Sequence, residues 1–309
     1  MQVMIETESL TKIYYADGRE IHAVDDLYLK VFEGEIFGYL GPNGSGKTTT
    51  ILMLLGLIQP TSGDGWVGGY NIIRESRKIR GIAGYIPERY SFYYNLSAYR
   101  NLEYFAKLNH LSGNEIKERI ERSIEIVGLN DWINTPVGAF SRGMKQRLAL
   151  ANILIRNPKI IFLDEPTVGL DPKSKADFRE LIKRLNREFN LTIFLSSHML
   201  HEVKELCHRI GFLNKGKLIA VDTVESFMGK MGYKIILEVT DLDDKLIDAL
   251  NEIGDISKIK IDDGRLIIYS GRDIRLEISR KVAEMNRYIL TLTLEPPTLE
   301  EIFFNIYGE

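Results

Sequence analysis

The stretch Gly41-Pro42-Asn43-Gly44-Ser45-Gly46-Lys47-Thr48 fits the phosphate-binding loop pattern G-x-x-x-x-G-K-[ST]. It follows the short apolar run Glu35-Ile36-Phe37-Gly38-Tyr39-Leu40 and precedes Thr49-Thr50-Ile51-Leu52-Met53-Leu54-Leu55. The first run has the length of a strand and the second the composition of a helix, which is the setting the loop requires. Its glycines let successive backbone N–H groups turn inward around an anion, and the following helix adds the positive end of its dipole. Lys47 is then expected to reach the terminal phosphates, and the Thr48 hydroxyl to coordinate Mg²⁺.

The rest of the chain is read outward from this loop. At 309 residues it is long for one core, so two domains are expected. Hydrophobic residues at 44% and charged residues at 27% describe an ordinary globular protein. A net charge of −3 offers no electrostatic footprint for nucleic acid, and none is expected as a partner. The single cysteine, Cys207, excludes an internal disulfide and suits a reducing compartment; in a helical stretch it reads as a buried structural thiol. No apolar run reaches 18 residues, and the N-terminus lacks the basic and apolar regions of a secretory signal, so a cytoplasmic protein is expected.

Residues 3–40 carry short, partly alternating apolar runs with turn signals at Asp17-Gly18 and Glu33-Gly34, the chemistry of antiparallel strands. Pro60 to Gly65 reads as a turn before a short strand at Trp66 and Val67, and Ile82 to Ile86 as another strand stopped by Pro87. From about 92 to 157 the pattern is helical, with Ser141 able to cap a helix that carries Leu148, Ala151 and Ile155. Ile160-Ile161-Phe162-Leu163 and Leu191-Thr192-Ile193-Phe194-Leu195 are continuous apolar runs, as in central parallel strands covered on both faces. Arg209 to Val221 reads as a hairpin about Asn214-Lys215-Gly216.

After about residue 222 the order becomes β-α-β-β-α-β, that of a small ferredoxin-like sandwich. In it Asp241 is expected to cap the first helix, and Asp262-Asp263-Gly264 to turn between strands. A final helix is announced by Pro296-Pro297 and a capping box from Thr298 to Glu301.

Three strand or helix ends converge on the loop's chemistry. Asp164 ends an apolar strand, where it could hold Mg²⁺ through water; Glu165 follows and could orient an attacking water. A solvated acidic pair is the bland alternative. His198 ends another strand, where its imidazole could meet a γ-phosphate instead of serving a structural role. Ser141-Arg142-Gly143 makes a second helix start able to bind an anion. Tyr14 or Tyr15 could stack on a base or simply pack in a strand.

These strings in this order, GPNGSGKTT at 41–49, FSRGMKQRLALA at 140–151, IIFLDEPTVGLD at 160–171 and SSH at 196–198, resemble the ATP-binding-cassette (ABC) ATPases over about residues 3–222. The resemblance implies an ABC ATPase domain over 1–222: a P-loop NTPase with a mixed central sheet, an antiparallel β-subdomain and a helical subdomain at about 92–157. An α+β accessory domain would fill 223–309. It implies ATP and Mg²⁺ as cofactors, with Gly41 to Thr48 and Thr49 around the phosphates and Tyr14 on adenine. Thr48, Asp164 and Glu88 are implied as metal contacts, and Glu165, His198, Lys47 and Glu88 as the catalytic set. Ser141 and Gly143 would serve the partner's nucleotide in a homodimer or paired ABC subunit, and Gly169-Leu170-Asp171 would join the two halves.

Two positions depart from the family pattern. Glu88 stands where glutamine is usual, and an ionised carboxylate cannot donate a hydrogen bond. Arg142 and Met144 alter the usual L-S-G-G-Q signature; Arg142 either adds charge near the phosphates or faces solvent.

The region after 222 looks like the small domain of ABC-2-type exporter subunits; the bland alternative is a dimer-stabilising or merely structural appendage. The aromatic run Tyr90-Ser91-Phe92-Tyr93-Tyr94 is either a permease-docking surface or subdomain core. The leading expectation is an ATP-hydrolysing subunit held at the inner membrane face by a separately encoded permease. The alternative is a soluble ABC ATPase acting on ribosomes, DNA or protein assemblies.

Overall fold

The structure, a computed structural model, describes residues 2–16, 18–226 and 232–295. The expected helix at 296–301 lies outside the described residues. The chain divides into two compact units, Met1–Asp222 and Thr223–Glu309.

In the first unit, β1 (Val3–Ala16) and β2 (Arg19–Phe32) pair antiparallel, and β1 also pairs antiparallel with β4 (Ser62–Val67), itself followed by β5 (Tyr70–Asn71). The strand at β4 therefore begins inside the stretch read as a turn. Ser62 and Asp64 pair with Thr11 and Glu8, so cross-strand hydrogen bonding overrides the turn tendency of the glycines. A second sheet of six strands holds β3 (Ile36–Leu40), β6 (Ala83–Ile86), β7 (Ile160–Asp164), β8 (Thr192–Ser197), β9 (Arg209–Asn214) and β10 (Lys217–Thr223), in the order β10-β9-β3-β8-β7-β6. The pairs β6–β7, β7–β8, β8–β3 and β3–β9 are parallel. Every residue of β3, β7 and β8 is buried, which is why their sequences read as unbroken apolar runs rather than alternations.

Helix α1 (Lys47–Leu54) leaves the phosphate loop, and α2 (Ser76–Ile82), not marked by a clear period, precedes β6. The expected helical region holds α3 (Ala98–Leu108), α4 (Asn114–Val127) and α5 (Arg142–Leu154). Ser141 caps α5 as read, accepting from Met144 N at 3.2 Å. Helix α6 (Pro172–Phe189) starts at the cap Asp171, and α7 (Leu200–Leu206) ends at Cys207, whose thiol is buried and pushed up in pKa chiefly by that burial.

One core lies between the two sheets and α1. Phe194 is its centre, fully buried with ring centroids 5.6 Å from Phe37, 5.1 Å from Tyr39 and 5.5 Å from Phe162. The aromatic run after Glu88 divides: Phe92 is buried, meeting Phe105 edge-on at 6.3 Å, while Tyr93 and Tyr94 are exposed.

The second unit holds β11 (Tyr233–Val239), α8 (Asp244–Asn251), β12 (Ile256–Asp262), β13 (Arg265–Ser270), α9 (Arg275–Glu284) and β14 (Ile289–Glu295). Its sheet order β12-β13-β11-β14 is the ferredoxin-like arrangement, over a core that includes Leu237, Leu246, Ile268 and Ile278. The cap of α8 is Asp243 and not Asp241. Asp243 is extended and accepts from Leu246 N at 2.9 Å, whereas Asp241 adopts φ 55° in the turn leaving β11. The Arg287 guanidinium and that cap bond hold the Asp243 carboxyl down at about 2.

Replacing Phe194 by alanine removes the ring on which three others pack. A loss of about 3–5 kcal/mol is expected, read as a lower urea midpoint for the full chain.

Candidate functional site

The loop between β3 and α1 is fixed by its own backbone. Gly41 N donates to Ser197 O at 3.2 Å, tying the loop's start to the end of β8. Gly44 and Gly46 take φ values of 78° and 107°, in the region that costs an L-residue strain. A Cβ on Gly46 would stand 2.0 Å from Ala23 O, while one on Gly44 would meet nothing within 4 Å. Asn43 and Gly44 are exposed and Pro42 and Thr49 half-buried, so the loop is open on one side. Ser45 Oγ is buried and has no hydrogen-bond partner among the described residues, an unsatisfied donor inside the loop.

Lys47 is only 6% exposed. Its Nζ donates to Gly41 O at 2.7 Å and Pro42 O at 3.1 Å, and lies 3.2 Å from Glu165 Oε1. That last approach is ionic without hydrogen-bond geometry, so Glu165 Oε1 is buried without a donor. Next to Lys47, Thr48 Oγ1 donates to Asp164 Oδ2 at 2.8 Å, joining the loop to the end of β7. Ser196 Oγ donates to Asp164 Oδ1 at 2.5 Å and also receives Glu165 N at 3.1 Å. Burial and the Asp164 carboxylate push the Tyr85 phenol up in pKa.

The Thr48 hydroxyl and Asp164 carboxylate are hard oxygen donors of the kind Mg²⁺ takes when phosphates fill its other positions. Among the described residues no group of three or more His, Cys, Asp or Glu could hold a metal by itself. The donor set therefore fits an ion brought with a phosphate ligand rather than a caged one.

Glu165 turns away from its strand at φ 48°, and its second oxygen, Oε2, lies 2.9 Å from His198 Nδ1. An ionised carboxylate only accepts, so with Glu165 ionised His198 Nδ1 carries the proton. The structure thus joins Lys47, Thr48, Asp164, Glu165 and His198 in one connected network at the ends of β3, β7 and β8.

The other expected site residues, those outside the phosphate loop, make no hydrogen bond to that network among the described residues. Tyr14 is 40% exposed, with Lys12 Nζ 5.2 Å over its ring. Glu88 is exposed and makes no hydrogen bond to Thr48 or Asp164; it lines a cavity of about 360 Å³ with Glu165, Tyr90, Arg142 and Lys145. The Tyr90 hydroxyl there donates to Gln146 Oε1 at 2.6 Å, and burial pushes it up to about 12. Ser141 and Arg142 are exposed, and the Arg142 guanidinium overlies Gly169, where a Cβ would stand 2.2 Å from Nη1. Gly143 packs on Ser174, and Asp171 caps α6 by accepting from Ser174 N at 3.0 Å, a bond that with the Ser174 hydroxyl lowers its pKa.

Ser196 and Tyr85 are site neighbours to which the motifs assigned no role. The signal for Ser196 was present: Asp164 and Ser196 end adjacent apolar runs, and parallel pairing makes them register partners.

With this geometry in view, the comparisons with known proteins are specific. The family described as "ABC transporter" matches residues 24–168. The chain belongs to the ABC transporter ATP-binding proteins, and it is an ATPase with ATP as its nucleotide. It is 37% identical to the bacitracin transport ATP-binding protein BcrA of Bacillus licheniformis over 309 residues, spanning 100% of this chain and 98% of that protein. It is 32% identical to the linearmycin resistance ATP-binding protein LnrL of Bacillus subtilis (strain 168), over 99% and 98% of the two. The cassette MJ0796, solved as a dimer in a post-hydrolysis state bound to ADP and Pi, superposes with a TM-score of 0.65 at 28% identity, covering 72% of this chain and 99% of that one. Neither relative's name points to ribosomes or DNA, so the soluble-machine alternative gains no support.

The two loop glycines separate strain from collision. Gly44→Ala is expected to cost about 1 kcal/mol of backbone strain, and Gly46→Ala about 3 kcal/mol because Ala23 O must also move. Thermal unfolding of both variants reads the difference.

Proposed function

We propose that this chain is the ATPase subunit of a membrane exporter, working in pairs with a second copy or another ABC subunit. It would sit at the cytoplasmic face of the membrane, bound to a separately encoded permease. The observation that carries this reading is the likeness to two transport and resistance ATPases over nearly the whole chain, the second unit included. No helix among the described residues is long and apolar enough to cross a membrane, so the pore would belong to another protein. We assign residues 1–222 as the ABC ATPase domain and 223–309 as an accessory domain. The exposed Tyr93 and Tyr94 are suited to the permease contact.

In this reading the loop N–H groups and Lys47 hold the β- and γ-phosphates, and Tyr14 stacks on adenine. Thr48 and Asp164, with Glu88 as a further contact, would hold Mg²⁺, which would neutralise charge on the phosphates. Glu165 orients the attacking water and takes its proton as the water oxygen bonds the γ-phosphorus and the bond to the β-phosphate oxygen breaks. His198 holds the Glu165 carboxylate through Nδ1–H, and its Nε2 can donate to a γ-phosphate oxygen only as imidazolium. The contacts of Ser141 and Gly143 run to Met144, Lys145 and Ser174, leaving the exposed α5 start for the partner's nucleotide.

Glu165→Gln keeps the shape and removes the base. Turnover is expected to fall about 10²–10³-fold, while nucleotide binding persists and ATP-bound dimers accumulate in gel filtration. Unchanged turnover would remove Glu165 from the base role. For the exporter reading, purification of the tagged full chain from membranes should bring a polytopic membrane protein with it. A chain recovered wholly in the soluble fraction, alone, overturns it.

A further inference from the structure

Glu202 is a buried carboxylate that the reaction above does not use. It lies on α7, just past His198, and is 3% exposed. One of its oxygens, Oε2, accepts from the Thr167 hydroxyl, and the other, Oε1, lies 2.9 Å from Lys175 Nζ. Thr167 is itself buried and follows Glu165 in the loop leaving β7. Lys175 belongs to the first turn of α6, where its N–H bonds Asp171 O at 3.0 Å, and its Nζ also approaches Met199 Sδ at 3.9 Å. One carboxylate thus meets three segments: the loop after Glu165, the start of α6 and the helix after His198.

Isolated, a buried carboxylate costs several kcal/mol, and even a well-paired one adds little net stability over an apolar replacement. What it does supply is geometry, because both oxygens are engaged in fixed directions. The two strand-end loops that carry Glu165 and His198 have no backbone ladder beyond Ser196 and Ser197 to hold them together. The Thr167–Glu202–Lys175 link lies just beyond that point.

We propose that Glu202 is a positioning residue, which ties the loop after Glu165 to the helix after His198 and so keeps the 2.9 Å Glu165–His198 hydrogen bond formed. By holding Thr167 and Lys175, it also fixes both ends of the Gly169-Leu170-Asp171 turn. The inference rests on the roles assigned to Glu165 and His198 above. A displaced Glu165 would still leave Lys47 and the glycine loop able to bind nucleotide, so the defect belongs to the chemical step.

The test uses Thr167→Val, which removes the hydroxyl at nearly constant volume, and Thr167→Ser, which restores it, both in the full chain. For Thr167→Val, kcat is expected to fall about tenfold with KM for ATP near that of the unaltered protein, and the carboxylate oxygen left without its donor lowers the melting temperature modestly. Thr167→Ser should return kcat. An unaltered kcat in Thr167→Val, a loss that serine does not repair, or a loss matched by weaker ATP binding overturns the proposal. Glu165→Gln measured alongside separates the two levels: if it too retains full turnover, the base assignment has failed; if it is inactive while Thr167→Val is not, only the brace has.

Discussion

The register of the parallel sheet is the constraint on which the site depends. Asp164 pairs with Ser196 and Leu40 with Ser197, so β7, β8 and β3 end at one level on one edge. Ligand sites in open parallel sheets form outside the carboxyl ends of the strands, and here the charged groups of the network sit at strand ends or in the segments that leave that edge. A register slip of one residue would turn Asp164 to the opposite face and break its bonds to both Thr48 and Ser196. The apolar burial of β3, β7 and β8 on both faces is what makes such a slip costly, so core packing and site geometry have a common cause.

Within that frame the charges hold each other. Lys47 and Asp164 are nearly excluded from solvent, and Glu165 has an oxygen without a hydrogen-bond donor. Removing one member of a buried ion pair leaves the other uncompensated, which is far more damaging than the pair is stabilising. Glu165 also carries backbone strain at φ 48°, of order 1–3 kcal/mol for a residue in this region, and its N–H is anchored on Ser196 O and Oγ. Strain and unpaired polarity therefore gather at the same residue. Such a concentration is tolerated when the surroundings over-determine the conformation, and Ser196 and His198 at the end of β8 and Lys47 at the start of α1 supply that determination.

Much of this was legible in the chain because the signals were local. The phosphate loop is a string of eight residues with a strand before it and a helix after, and unbroken apolar runs mark β7 and β8. The element order of the second unit could be read to its ferredoxin-like sheet. What escaped depended on pairing or competition between neighbours. Ser62–Gly65 looks like a turn until β1 is present to pair with it. Asp241 and Asp243 are equivalent as letters, and only the backbone leaving β11 decides which one caps α8. Ser196 looked like part of a motif string, and its contact with Asp164 exists only through sheet register. Glu202 was invisible for the same reason: a glutamate in an amphipathic helix reads as a solvated residue, and burial is a property of what packs over it.

Exposure divides the motif residues in a way that bears on how the site is completed. Lys47 and Asp164 are buried, and Thr48 is bonded to Asp164 across the loop. Ser141, Arg142 and Asp171 are exposed, and at the start of α5 Met144 N bonds the Ser141 hydroxyl. A polar group meant for an intramolecular anion would be expected to lie close to the loop that binds it, as Thr48 does to Asp164. The exposed set instead shares its own surface, with Arg142 over Gly169 and Gly143 on Ser174. Signature and turn thus adjoin, and Arg142 lines one cavity with Glu165. A helix start and a guanidinium together are groups that suit a phosphate. The proposed pairing with a second cassette, as in the cassettes solved as dimers, would draw on this surface.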